Sequence, residues 1–222
     1  MEQATERDSN YGPALAWSAI CYMLRYQEGR SEDPKADSHK GVDLARRALQ
    51  VGGEDPDILA NAAFVLAYFG EDITAMMALV DRALVLNPSY ARGWHISGNL
   101  RLFAGQLDSA IEHVEASLRL SPRIRVGLHF MVIGAAYFLS RRFEEALPKL
   151  LLGVQEFPNH APLLRHLAAC YAHIGRLDEA REMIARLRAI NPLIMPSAMP
   201  YRNPEHRELF LSGVRLAAGD AT

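Results

Sequence analysis

Cysteine is almost absent: Cys21 and Cys170 are the only two in 222 residues. That is too few for a disulfide framework or a thiolate metal site. No apolar run approaches the roughly 18 residues a membrane span needs, and the first residues, MEQATERDSNY, contain no apolar signal core. A cytoplasmic chain with no membrane insertion is the expectation. A large excess of either charge is missing too, since 24 Lys and Arg against 26 Asp and Glu leave a formal net charge of −2. A mainly electrostatic grip on nucleic acid or anionic lipid is therefore excluded. Neither GxGxxG nor GxxxxGK[ST] occurs, nor GxSxG, nor HExxH. No catalytic, cofactor-binding or metal-binding residue can be nominated, and an enzyme is not expected. His166 and His173 lie seven apart on one expected helix without a metal-binding pattern, and Cys21 and Cys170 read as core packing.

What the sequence does contain is a repeat. Pro88, Pro122, Pro158 and Pro192 are separated by 34, 36 and 34 residues, each after an apolar helical run (ALVLNP, LRLSP, VQEFP, RAINP). Between the first two stand Trp94, Gly98, Gly105, Ala110 and Ser117. The same offsets later hold Leu164, Ala168, Gly175, Ala180 and Leu187, and the middle copy carries Phe130, Gly134, Tyr137, Ala146 and Gly153. Small residues let two helices approach, bulky ones fill the space between pairs, and proline ends the second helix.

This pattern resembles the tetratricopeptide repeat (TPR), a 34-residue pair of antiparallel helices. It implies an all-α, right-handed TPR superhelix of about five helix pairs plus a C-terminal capping helix. Two earlier units are less regular: Pro56–Pro88, and a first unit whose helices PALAWSAICYMLRYQ and KGVDLARRALQV are joined by EGRSEDPKADSH. That connection is polar and contains proline, and is expected to be a long surface loop. Residues 1–11 read as the end of a truncated preceding repeat, 12–192 as the solenoid, and 193–222 as a Pro-rich turn and capping helix. The last helix, PEHRELFLSGVRLAA, places Leu209, Phe210, Val214 and Leu216 on one side.

In a TPR superhelix the first helix of each pair lines the concave wall. The repeat register puts Phe64, Tyr68, His95, Asn99, Phe103, Met131, Phe138, Arg165 and His173 there, with Leu128, Ala135 and Ala169 between them. Aromatic and methionine side chains beside polar ones suit a protein or peptide in the groove. The carboxylate clamp of chaperone-binding TPRs is incomplete: His95 and Asn99 occupy its first positions, but Leu128 and Val132 replace its next lysine and asparagine.

The irregularities resemble a narrower group, the C-terminal TPR region of bacterial class III adenylate cyclases, and similarly built winged-helix transcription regulators. The segments that carry this are GVDLARRAL, FVLAYFGEDITAMMALVDRALVLNPSYARGWHISGNLRLFAGQLDSAIEHVEASLRLSP, GAAYFLSRRFEEALPKL, LAACYAHIGRLDEAREMIARLRAINP and the terminal LFLSGVRLAAG. The resemblance implies a regulatory segment of a bacterial cyclase-like signalling protein, with a winged-helix regulator or a free-standing adaptor as alternatives. Catalysis would belong to residues outside this segment. The expected partners are a groove-bound protein or peptide, an effector domain of the same parent chain included, and a second copy forming a homodimer through the first repeat.

Overall fold

The computed structural model describes residues 10–122, 126–191, 193–196 and 199–219. Eleven helices and no strands occur among them. They run α1 (Gly12–Gln27), α2 (Pro34–Gly52), α3 (Pro56–Tyr68), α4 (Ile73–Leu86), α5 (Ala91–Ala104), α6 (Leu107–Leu120), α7 (Gly127–Leu139), α8 (Phe143–Glu156), α9 (Ala161–His173), α10 (Leu177–Ile190) and α11 (Pro204–Ala218). Consecutive helices pack as five antiparallel pairs, and α11 lies across α9 and α10.

The two helices of a pair differ in composition because they differ in neighbours. First helices are packed on several sides. In α9 every residue from Leu163 to Ala172 is buried, and α3 has a similar run from Ile58 to Ala63. Second helices bury one stripe; α6 buries only Ala110, Val114 and Ser117. A helix apolar all round must be enclosed, and an amphipathic one can face water. Two glycines set the spacing inside pairs. A Cβ on Gly98 would lie 2.5 Å from Val114 Cγ2 and 3.0 Å from the Ala110 carbonyl oxygen, and one on Gly134 would lie 2.8 Å from Leu150 Cγ.

Helix starts follow the local sequence. Asp33 precedes Pro34 and accepts hydrogen bonds from the Lys35 and Ala36 amides (3.1 and 3.0 Å), and Asp55 does the same for α3. This corrects the expected long loop. Only residues 28–33 connect α1 to α2, and PKADSH is already helical. Asp37, inside that segment, is buried against Arg25 of α1 (2.9 and 3.1 Å), which holds the extra turn on its pair.

Two further expectations change. Cys21 is exposed, because α1 is the first helix and has no preceding repeat on that side among the described residues; Cys170 is buried. Burial pushes the Cys170 thiol up to about 12, so it stays protonated. In α11, Leu209, Phe210 and Val214 are buried, but Leu216 is 40% exposed on the far face. Residues 1–9 of the truncated repeat expected over 1–11 lie outside the described residues.

The superhelix closes on itself. Glu28, just after α1, receives hydrogen bonds from the His160 ring and, at 3.2 Å, from the Ala161 amide at the start of α9. Burial alone would raise the Glu28 carboxyl, but the His160 bond and charge and the Ala161 amide outweigh it, and its pKa is lowered. The first repeat thus touches the fifth, and the concave side becomes a partly open channel.

The close approach at Gly98 yields a prediction. Gly98→Ala should gain up to about 1 kcal/mol of helix propensity yet lose more to the clash with the Ala110 backbone. A net destabilisation of about 1–2 kcal/mol is expected in urea unfolding, with helicity retained. An unchanged midpoint would mean that α5 and α6 can separate freely.

Candidate functional site

Five first helices, α1, α3, α5, α7 and α9, face the channel, but the channel is not empty. The segment between α10 and α11 crosses it as a strap. Arg165 of α9 is buried, and its Nε and Nη2 donate to the carbonyls of Ile194 and Leu193 (both 2.8 Å), while Nη1 reaches the Gln27 carbonyl at 3.4 Å. Further along, the Arg202 amide donates to the Phe103 carbonyl (2.8 Å), and its guanidinium donates to the carbonyls of Ala67, in the last turn of α3, and Glu71, just beyond it. Helix C-termini leave such carbonyls without intrahelical partners, so the strap satisfies them.

Tyr201 anchors the strap. It is 3% exposed, with Phe103, His166 and Phe210 around its ring. His166 Nδ1 lies 2.7 Å from the Pro162 carbonyl, which can only accept, so Nδ1 carries the hydrogen and Nε2 accepts from the Tyr201 hydroxyl. Burial, the largest effect on His166, lowers its pKa to about 4 against a smaller opposing contribution from that carbonyl.

Beside the strap remains a cavity of about 220 Å³. Of the nine residues placed on the wall by sequence, seven line it: Phe64, Tyr68, His95, Asn99, Phe103, Met131 and Arg165. Phe64 stacks on Phe103 with centroids 6.1 Å apart, and Tyr68 meets the same ring edge-on. Asn99 Nδ2 donates to the His95 carbonyl (3.0 Å) and to His95 Nε2 (3.2 Å), and the His95 ring packs 4.3 Å from that of His129. Burial, then the charges of His129 and Arg92, depress His95 to about 3.

Phe138 and His173 are corrections. Phe138 is fully buried, and His173 donates to the Leu209 carbonyl (2.7 Å) while stacking on Phe143. His173 thereby holds α11, which covers that end of the wall, and the Phe138 ring packs beside Phe143 and His173. Register reasoning missed Trp17, Arg92, His166 and Tyr201, which also line the cavity. Arg92 sits one turn before His95 and could have been found from that spacing; Tyr201 lies outside the repeat and carries no such signal. Among the described residues no group of three His, Cys, Asp or Glu side chains is placed to hold a metal ion. None of the described helices is long and apolar enough to cross a membrane.

The tetratricopeptide repeat family matches residues 137–193, from the end of α7 to just past α10. No curated protein matches the chain. Among solved structures, a thermophilic TPR protein of Thermus thermophilus aligns over 87% of this chain and 98% of its own, at 19% identity and a TM-score of 0.62. PilW, a type IV pilus biogenesis factor, aligns over 94% and 86%, at 19% identity and 0.61. YrrB, described as a TPR protein with an unusual peptide-binding site, aligns over 81% and 93%, at 23% identity and 0.50. The fold is that of a TPR solenoid, and the chain carries a tetratricopeptide repeat by sequence as well.

The neutral imidazoles make stability depend on pH. Unfolded histidine titrates near 6.5, whereas folded His95 and His166 titrate near 3 and 4. The unfolded chain therefore takes up these protons first, so their stabilisation is complete above about pH 6.5 and is lost as pH falls toward 4, by about 1.4 kcal/mol per unit for each histidine. His166→Gln should flatten the slope of unfolding free energy between pH 6 and 5 by about one proton. Parallel slopes for the two proteins would place His166 in water.

Proposed function

We propose that this chain is a non-catalytic recognition module that binds an extended segment of a partner protein along its concave wall, through Phe64, Tyr68, His95, Asn99, Phe103, Met131 and Arg165. One observation supports this most: the wall already holds an extended chain, its own strap. The grip runs through main-chain carbonyls (Arg165 to Leu193 and Ile194) and one aromatic anchor, Tyr201. Such contacts do not require one particular sequence, and an aromatic pocket between main-chain clamps is how extended peptides are commonly read. The solenoid over 12–192 is then the binding domain, and the described strap residues, 193–196 and 199–203, are an internal occupant that a partner must displace.

The test uses the full chain with Tyr201→Ala and Arg202→Ala, which loosens the strap without shortening the protein. A labelled peptide of residues 193–219 should bind this variant in trans, by fluorescence anisotropy, at least tenfold more tightly than it binds the unaltered chain. Adding Asn99→Ala and Arg165→Ala should remove the binding while leaving the helical signal intact. Equal binding by all three proteins would move the recognition surface off the wall.

The sequence resemblance to cyclase-linked TPR regions extends the proposal to the parent protein: a C-terminal regulatory segment of a bacterial, cytoplasmic, adenylate cyclase-like signalling protein. Occupancy of the wall by an effector domain of the same chain, or self-association, would bias the arrangement of catalytic domains. That coupling requires a partner with different affinity for the two arrangements. Deleting these repeats from the parent should change cyclic nucleotide output or its response to partners. An upstream winged helix would instead make the parent a transcription regulator.

A further inference from the structure

The cavity beside the strap has a charge pattern that the peptide reading leaves unused. Its ionisable lining consists of Arg92, Arg165, His95, His160, His166 and Tyr68, together with Tyr201 from the strap; among the described residues no aspartate or glutamate reaches it. Neither arginine has a carboxylate within ion-pair distance among the described residues. The acids whose fields reach them are engaged elsewhere: Asp57 accepts from the Trp17 indole (2.9 Å) and the Tyr90 hydroxyl, and Glu28 is held by His160 and the Ala161 amide.

The two arginines are not equivalent. Arg165 directs Nε, Nη1 and Nη2 to three carbonyls. Arg92 directs Nε and Nη2 to one oxygen, Asn61 Oδ1 (3.1 and 2.8 Å), and lies over the Trp17 ring at 4.4 Å. Counting the nearby Tyr90 hydroxyl as a third partner leaves two of its five N–H groups unmatched. Arg92, His95 and Asn99 follow one another along the cavity side of α5. The rest of the wall is largely apolar, with Phe64 and Phe103 beside Met23 and Met131 and with aliphatic side chains such as Ile20, Ile96 and Leu102.

We infer that this cavity is a binding site for a small monocarboxylate with an apolar, preferably aromatic body, its carboxylate held by Arg92 and its body among Phe64, Phe103 and Met131. Size fixes the scale. A dry apolar cavity of about 150 Å³ accommodates benzene, so 220 Å³ takes roughly ten non-hydrogen atoms. That is too little for a peptide and enough for an arylalkanoate. A carboxylate on the planar guanidinium fork supplies two parallel charge-assisted hydrogen bonds to a cation that has no carboxylate within ion-pair distance among the described residues. The strap forms one wall, with Met199, Pro200 and Tyr201, so a bound acid would hold the strap in place.

The experiment titrates the full chain with cinnamate and, separately, with its uncharged near-isostere cinnamamide, by calorimetry at neutral pH. Cinnamate should bind and raise the melting temperature, with cinnamamide at least tenfold weaker. Arg92→Met should reduce cinnamate affinity to that of the amide, and Arg92→Lys should retain part of the difference. Ala135→Phe, which fills the cavity without touching its charge, should abolish binding of both compounds; it decides the matter if Arg92→Met fails to fold. Absence of cinnamate binding at about 100-fold excess over micromolar protein overturns the inference, as does equal affinity for acid and amide. Unaltered cinnamate binding by Ala135→Phe places the ligand elsewhere and overturns it too. None of these outcomes bears on peptide binding by the loosened strap, which is read in a different protein with a different ligand.

Discussion

A guanidinium buried in the interior must find acceptors there, and Arg165 draws three of them from two distant parts of the chain. Gln27 comes from the end of the first helix, while Leu193 and Ile194 come from the strap beyond the tenth. Leaving such a group without partners would cost several kcal/mol. The channel, the path of the strap and the shape of the cavity all meet at this one side chain. Burial lowers the Arg165 pKa, with the Tyr68 and Glu28 fields opposing, yet an arginine does not shed its proton in a protein. The charge stays, and the surrounding carbonyls have to be held for it.

Closure changes what a TPR solenoid can do. An open superhelix offers its concave wall to any extended segment of suitable chemistry, whereas here the wall is sealed at one side by Glu28 against His160 and occupied by the protein's own residues. Under the proposed function, partner binding and strap binding are competing states of one surface. The affinity a partner shows is its intrinsic affinity reduced by the fraction of time the strap is away. Anything that fixes the strap works against the partner, and anything that draws it out works with it. The wall's chemistry is common to both occupants, so the strap's contacts describe the site as a bound peptide would.

Charge and apolarity are divided between the two halves of the channel. The strap half presents carbonyls to arginines, which is a main-chain solution to buried positive charge. The cavity half keeps Arg92 over Trp17 and the amide of Asn61, with aromatic rings around it. Neutral imidazoles separate the halves: His166 needs its unprotonated Nε2 for Tyr201, and His95 needs its own for Asn99. Acidification therefore acts on the strap anchor and the wall together.

The sequence by itself determined everything that depends on short-range spacing. The proline period gave the pairs, Gly98 and Gly134 marked the close approaches, and Pro204 opened the last helix, because helix starts and helix–helix contacts within a pair are encoded a few residues to one repeat apart. Seven of the nine wall residues followed from the same register. The misjudged loop over residues 28–39 lay where a polar, proline-containing stretch can be read either way, and the Asp37–Arg25 contact decided for helix. Only the tertiary structure decided the closure, the strap and the cavity. These rest on partners 132 residues apart for Glu28 and His160, 138 for Gln27 and Arg165, and 135 for Ala67 and Arg202. Phe138 and His173 obey the wall register yet are taken up by Phe143 and by α11, since the register says which way a side chain faces but not which other element has reached it first. The curvature accumulated over five pairs sets those distances, and no single repeat contains it.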